Sequence, residues 1–267
     1  MAVRRRLEDA GIPDAALEAE CLVRTVTGIS REAYFADGPI DEAQLPALDR
    51  LVARRLAREP LAYISGEREF YGLSFGVNAA VLVPRPESEL LVELALDHLE
   101  HHPRALLLDV GTGSGCLAVS IEKHRGMKGR TVASDVSAPA LAVARANAHR
   151  HGVAIEFVRA SLTGAFARAD LIVANLPYVP SADVDELEPE LRNWEPRIAL
   201  DGGTGGTELI AQLVDDCATR LRPGRVLMEV AAGQAPDVAA YARERGFEAT
   251  THRDLAGIER VVDARWP

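Results

Sequence analysis

Three glycines between an apolar strand and a helix-like run constrain this chain more than any other feature in it. Ala105-Leu106-Leu107-Leu108-Asp109-Val110 leads into Gly111-Thr112-Gly113-Ser114-Gly115, and Cys116-Leu117-Ala118-Val119-Ser120-Ile121 follows. The glycines permit positive φ and close approach of backbone to a ligand, and the helix start beyond them offers free N–H groups. From residue 104 onward strand and helix patterns alternate, at 105–110, 117–124, 130–134, 138–151, 154–158, 170–174, 207–221, 225–230 and 234–245. Such alternation implies an α/β fold, with a mainly parallel sheet covered on both faces and ligands at the carboxyl ends of its strands. The tail from Ala249 to Val262 is expected to add edge strands.

The turn's ligand can be narrowed. Beyond Gly115 the strand-like Thr131-Val132-Ala133-Ser134 ends in Asp135, placed to grip a ribose diol. A dinucleotide-binding turn also carries an acidic residue at about that distance. Two details favour a methyl donor instead. The third glycine falls one position early for G-x-G-x-x-G, and Asp109 sits at the turn's entry, where its charge opposes a pyrophosphate. A carboxylate there suits the cationic amino acid end of S-adenosylmethionine.

A second strand exit bears on the chemistry. Asp170-Leu171-Ile172-Val173 runs into Ala174-Asn175-Leu176-Pro177-Tyr178-Val179-Pro180. An apolar run followed by Asn and Pro is also how many strands end. Beside a methyl donor, it suits alkylation of a planar nitrogen. The Asn175 amide oxygen accepts one N–H, a neighbouring backbone carbonyl accepts the second, and the Tyr178 ring covers the flat face. Gly111–Gly115 and Asn175–Tyr178 both follow strands and are expected on one rim.

The bulk numbers are those of an ordinary globular protein, 48% apolar and 26% charged over 267 residues. No apolar stretch is long enough to span a bilayer. Arg4-Arg5-Arg6 has no apolar run behind it, so we expect no secretion signal. Cys21, Cys116 and Cys217 lack C-x-x-C spacing, which points to a reducing cytoplasm and to neither disulfides nor zinc. The net charge of −10 argues against a partner held mainly through its phosphates. Aromatic content of 5%, with acidic residues outnumbering arginines over 1–70, shows no track for a nucleic-acid strand.

Residues 1 to about 65 read as helices: Val3 to Ala10, Ala15 to Thr27 capped by Asp14, a short turn from Ser30, and Asp41 to Arg58. In the last, Leu45, Leu48, Leu51, Val52 and Leu56 are expected inward, with Pro46 delaying the start. Arg50, Arg54, Arg55 and Arg58 read as a solvated face, or else as a dock for an acidic or polypeptide partner. Glu69 to Val77 reads as a hairpin, and Glu87 and Glu89 begin a helix over Leu90 to Leu99. His98, His101 and His102 read as a solvated helix end rather than a metal site. Asp201-Gly202-Gly203-Thr204-Gly205-Gly206 reads as a flexible turn rather than a phosphate loop, lacking the Lys-Ser/Thr of a P-loop. Cys116 is expected to pack under the glycine turn, and Trp194 is either core or lid.

With these pieces placed, the chain resembles the release-factor glutamine methyltransferases, the HemK/PrmC-type family, over nearly its whole length. The resemblance rests on Glu59 to Gly72, on Val83-Pro84-Arg85-Pro86-Glu87-Ser88-Glu89, on the Asp109–Gly115 turn, on Asp135 and on Glu195 to Gly203. It implies a Rossmann-like S-adenosylmethionine-dependent methyltransferase domain with a small N-terminal helical domain. The implied division is a helical substrate-docking domain at 1–68, a hairpin linker at 69–83 and a catalytic domain at 84–267. It also implies a cytoplasmic enzyme that methylates the side-chain amide of the Gln in the Gly-Gly-Gln tip of peptide-chain release factors, with no metal, no membrane and no nucleic-acid substrate. By position, Asp109, Gly111, Thr112, Gly113, Ser114 and Gly115 would hold the methionine part and Asp135 the ribose. Leu162 would lie by the adenine, and Asn175, Leu176, Pro177 and Tyr178 would hold the glutamine amide, with Asn175 also near the donor.

Three departures stand out. The family's usual tetrapeptide is Asn-Pro-Pro-Tyr, and Leu176 replaces its first Pro. Asn-Leu-Pro-Tyr is similar to the motif of ribosomal RNA adenine dimethyltransferases, which keeps an exocyclic-amine methyltransferase as the alternative. Ser161-Leu162 stands where the family often has a Trp, and Thr204-Gly205-Gly206 departs from an acidic-Gly pattern.

Overall fold

A computed structural model describes residues 2–36, 41–126 and 128–267. The chain divides into two compact units, Met1–Glu67 with Glu188–Trp194 and Arg68–Leu187 with Glu195–Pro267.

The first unit contains α1 (Ala2–Asp9), α2 (Ala15–Thr27), α3 (Arg31–Phe35), α4 (Leu45–Leu56) and α5 (Leu61–Ser65). Leu7, Leu22, Leu48, Val52 and Ile64 close its core. A single 3-10 turn, Glu42–Gln44, precedes α4, so Pro46 falls in the first turn, where its missing N–H costs nothing. Leu45 does not point inward as expected; it is 44% exposed, because it opens the helix ahead of the buried stripe. Asp14 does not cap α2 with its side chain, since its backbone is left-handed there.

The arginines read as a solvated face are solvated only in part. Arg55 is 3% exposed and bonds Glu18 (2.5 Å) and Glu190 (2.9 Å). Arg58 also reaches Glu190, and Arg54 forks onto Glu59. A buried guanidinium requires such partners; of the four, Arg55 is buried, Arg58 half-buried, and Arg50 and Arg54 exposed. Trp194 donates Nε1–H to the carbonyl of Ala57 within the same unit.

The second unit opens with a two-stranded hairpin, β1 (Glu67–Phe70) and β2 (Leu73–Gly76), and α6 (Glu89–His101). Then come β3 (Leu106–Val110), α7 (Cys116–Arg125), β4 (Arg130–Asp135), α8 (Ala138–His151), β5 (Glu156–Arg159) and β6 (Leu171–Ala174). After the first unit's α9 (Pro189–Trp194) follow α10 (Glu208–Asp216), β7 (Arg225–Glu229), α11 (Ala235–Glu244), β8 (Glu248–Arg253) and β9 (Glu259–Arg265). The seven-stranded sheet has the order β5-β4-β3-β6-β7-β9-β8, with β9 antiparallel to both its neighbours. The tail therefore supplies one edge strand, β8, while β9 lies inside the sheet.

Alternation along the strands separates two cores. Leu108, Val110, Ile172, Ala174 and Met228 pack with α10 and α11 on one face. Leu107, Leu171, Val173 and Leu227 pack with α6, α7 and α8 on the other. The register pairs Val110 with Ser134 and Ala174, and Ala174 with Met228. One step further along that row stand Gly111, Asp135, Asn175 and Glu229, so the sheet delivers all four to one rim.

Candidate active site

A cavity of about 320 Å³ opens at this rim, lined among others by Gly111, Gly113, Asp135, Leu162, Asn175 and Pro177. The glycine turn is shaped from below. Gly111 and Thr112 both donate N–H to the carbonyl of Ser134 at 2.9 Å. Asp135 ties the turn to the end of β4: Gly113 donates to its Oδ2 (2.9 Å) and Ser137 to its Oδ1 (2.8 Å). Gly113 has φ 54, and a Cβ added there would meet only open space. Asn147 braces the turn from α8, donating to the carbonyl of Ser114 at 2.8 Å.

Two residues expected in the ligand cradle lie elsewhere. Asp109 is wholly buried beneath the turn rather than on the cavity wall, because Thr112 Oγ1 (2.6 Å) and the Ala118 N–H (3.2 Å) claim its Oδ2. Its Oδ1 has no partner among the described residues, and burial raises its carboxyl to about 7. Gly115 is the close-packing glycine of α7, where a Cβ would lie 3.1 Å from that of Ala144. Cys116 borders the cavity, with its thiol pushed up to about 12 by burial.

The tetrapeptide is held by distant side chains. Asn175 donates Nδ2–H to Ser88 Oγ at 2.9 Å, which leaves Oδ1 as the amide atom for a ligand. The Leu176 side chain is buried and meets the glycine turn: a Cβ on Gly111 would lie 3.0 Å from its Cδ2. Tyr178 does not line the cavity. Its ring is partly buried against the core, and its hydroxyl donates to Glu229 Oε1 at 3.3 Å. Gln234 donates Nε2–H to the Tyr178 carbonyl (2.9 Å). The Asp201–Gly206 loop packs its backbone directly on this segment. Gly202 donates to the Val179 carbonyl at 2.8 Å, and a Cβ on Gly202 would meet the carbonyls of Gly206 and Pro177 and the Cα of Tyr178. Asn147, Glu229 and Gln234 carry no local signal in the sequence, and Ser88 is marked only by its segment; each acts from at least 33 residues away.

Ser161 and Leu162 line the cavity, and Leu162 holds a left-handed φ of 46, unusual for a branched side chain. Arg85 also borders the cavity and bonds Glu195 at 2.5 Å. His98 and His102 stack with centroids 4.4 Å apart, and burial pushes His98 down to about 4. Among the described residues no cluster of His, Cys, Asp and Glu suits a metal, and no helix is long and apolar enough to cross a membrane.

The PrmC N-terminal domain family matches residues 2–66, and the methyltransferase small domain family matches 88–188. Among solved structures, the fold is similar to that of a ribosomal protein L11 methylase from Lactobacillus delbrueckii subsp. bulgaricus (TM-score 0.51, 22% identity, 69% of this chain and 81% of that one). It is also similar to a methyltransferase from Pyrococcus furiosus (TM-score 0.53, 18% identity, 80% and 96%). These likenesses identify the Rossmann-like methyltransferase fold. The chain is 41% identical to the release factor glutamine methyltransferase of Geobacter sulfurreducens, over 98% of its own length and 93% of that protein. It is 39% identical to that of Deinococcus radiodurans, over 97% and 94%. A match of this depth over nearly the full length of both proteins means that the chain belongs to the release factor glutamine methyltransferase family.

Proposed function

We propose that this protein is a cytoplasmic enzyme that methylates the side-chain amide nitrogen of the Gln in the Gly-Gly-Gln motif of peptide-chain release factors, with S-adenosylmethionine as donor. Residues 1–68 would dock the factor, 69–83 link, and 84–267 carry the chemistry. One observation carries the reading. The glycine turn and the Asn175 amide face one cavity, and Asn175 gives one N–H to Ser88.

The residues present fit the donor. Gly113 leaves open space where a side chain would intrude, and Asp135 stands at the end of β4 beside it. Gly111, Thr112, Gly113 and Ser114 would hold the methionine part, Asp135 the ribose, and Leu162 would pack near the adenine. Asp109 and Gly115 would act by shaping the turn. When bound, the donor supplies an electrophilic methyl group on a sulfonium.

The chain's own residues deal with the nitrogen. An amide nitrogen is a poor nucleophile because its lone pair is delocalised into the carbonyl. Asn175 Oδ1 accepts one N–H and a main-chain carbonyl of the tetrapeptide accepts the other, which aligns the lone pair, chiefly a positioning effect. The same acceptors stabilise positive charge developing on nitrogen. Pro177 stiffens the backbone, and the Tyr178 ring backs the segment that carries these acceptors. No general base is needed before transfer, because the methylated nitrogen is acidic and loses its proton afterwards.

The test uses purified protein, labelled donor and three acceptors: a release factor, the same factor with its tip Gln changed to Ala, and ribosomal RNA. We expect label in the intact factor alone. Label in RNA would transfer the reading to an exocyclic-amine enzyme, and label in the Gln→Ala factor would exclude the assigned glutamine.

A further inference from the structure

We propose that Ser88 and Glu229 form a positioning relay that fixes which end of the Asn175 amide faces the cavity. The two ends of a primary amide are almost equal in shape, so packing alone does not choose between them. The choice falls to hydrogen bonding behind the ring of cavity residues.

The geometry supplies it. Ser88 and Glu229 are each 2% exposed, and neither is part of the glycine turn or the tetrapeptide. Ser88 Oγ receives the Asn175 Nδ2–H at 2.9 Å. The Glu229 carboxyl stands one residue past the Ala174–Met228 pair; its Oε1 accepts from the Tyr178 hydroxyl at 3.3 Å, and Ser88 lies beside it. A serine hydroxyl has one hydrogen, and an ionised carboxylate can only accept. The relay assigns the Ser88 hydrogen to ionised Glu229, which leaves only lone pairs on Oγ for Asn175. Asn175 answers with its N–H, and Oδ1 turns to the cavity, where a substrate N–H needs an acceptor. With a neutral group at 229 the hydroxyl can reverse, the amide can flip, and donor would face donor.

Burial raises the Glu229 carboxyl to about 7, with Glu87 adding to the rise and Arg260, Ser88 and Tyr178 opposing it; Cys116, a neutral thiol, lies near. Its Oε2 has no partner among the described residues. The relay is thus engaged above neutral pH and released as the pH falls through about 7.

The kinetic readout rests on the methyl-transfer reading; a spectroscopic one does not. Glu229→Gln, Ser88→Ala and the double variant are compared with wild type. Each single change is expected to lower kcat about 10- to 100-fold, as for loss of a charge-assisted hydrogen bond, with donor affinity by calorimetry unchanged. The double variant should fall no further than the worse single one. The wild-type acid limb near neutral pH should vanish in Glu229→Gln. Additive losses, donor binding that falls in step with kcat, or an acid limb that persists would overturn the relay. Ser88→Ala carries the comparison if Glu229→Gln does not fold. If the wild type transfers no methyl to glutamine, the functional reading fails and the relay is judged by NMR. An Asn175 side-chain amide signal that titrates near neutral pH in wild type, and in neither variant, supports it; one indifferent to both changes overturns it.

Discussion

Two glycine-rich loops of nearly the same composition do opposite things in this protein. In Gly111–Gly115 the middle glycine faces open space, and the loop is suspended by backbone hydrogen bonds to Ser134 and Asp135. In Gly202–Gly206 the two end glycines are pressed against backbone, so that a Cβ on Gly202 would strike Pro177 and Gly206 carbonyls and one on Gly206 the Tyr178 carbonyl. The first loop is empty so that something can enter. The second is empty so that the tetrapeptide can sit where it does. Composition reports only the missing side chain; the neighbours decide what the vacancy is for.

The comparison can be broken at either loop. The largest effect is expected from Gly202→Ala, whose methyl meets only rigid backbone at the Pro177 carbonyl (2.6 Å) and the Tyr178 Cα (2.8 Å). Displacing the tetrapeptide by about 1 Å should cut methyl transfer about 100-fold, with donor affinity by calorimetry little changed. Donor affinity falling in step with transfer would show that this loop serves the donor too. Asp135→Ala should do the reverse, weakening donor binding about 10- to 100-fold through the loss of charge-assisted bonds. Gly113→Ala meets no clash and carries only the strain of a left-handed backbone, about 1–2 kcal/mol. Roughly tenfold weaker donor binding is expected, and a loss as large as that of Gly202→Ala would refute the open-space assignment. Smallest is Thr112→Val. It removes one bond to the buried Asp109 and should lower stability by about 1–3 kcal/mol in a urea melt, with the donor site still formed.

The same contrast marks how far the sequence could be read. The alternation beyond residue 104 was legible because strand and helix periods are local, and α2 falls at Ala15–Thr27 as read. Pro46 signalled the later start of α4 for a local reason too. What escaped depends on residues far apart in the chain. Arg55 looked solvated because Glu18 and Glu190, which bury it, lie 37 and 135 positions away. Asp109 looked like a ligand contact because its spacing to Thr112 and Ala118 did not tell which way its carboxyl turns. Gly202–Gly206 looked like a flexible turn because Pro177 and Tyr178, which fill its vacancy, belong to another strand exit. Ser88 and Glu229 drew no reading of their own, because the groups they meet lie 87 and 51 positions away. The rim that collects them is set by the register of β3, β6 and β7, which no local pattern encodes.

The division of labour between the two rim loops is tested most directly by Asn175→Ala, measured for both methyl transfer to a release factor and donor binding by calorimetry. We expect transfer to be abolished while donor binding, though weakened, remains measurable. Wild-type-like transfer in that variant would contradict the assignment of Asn175 to the substrate nitrogen.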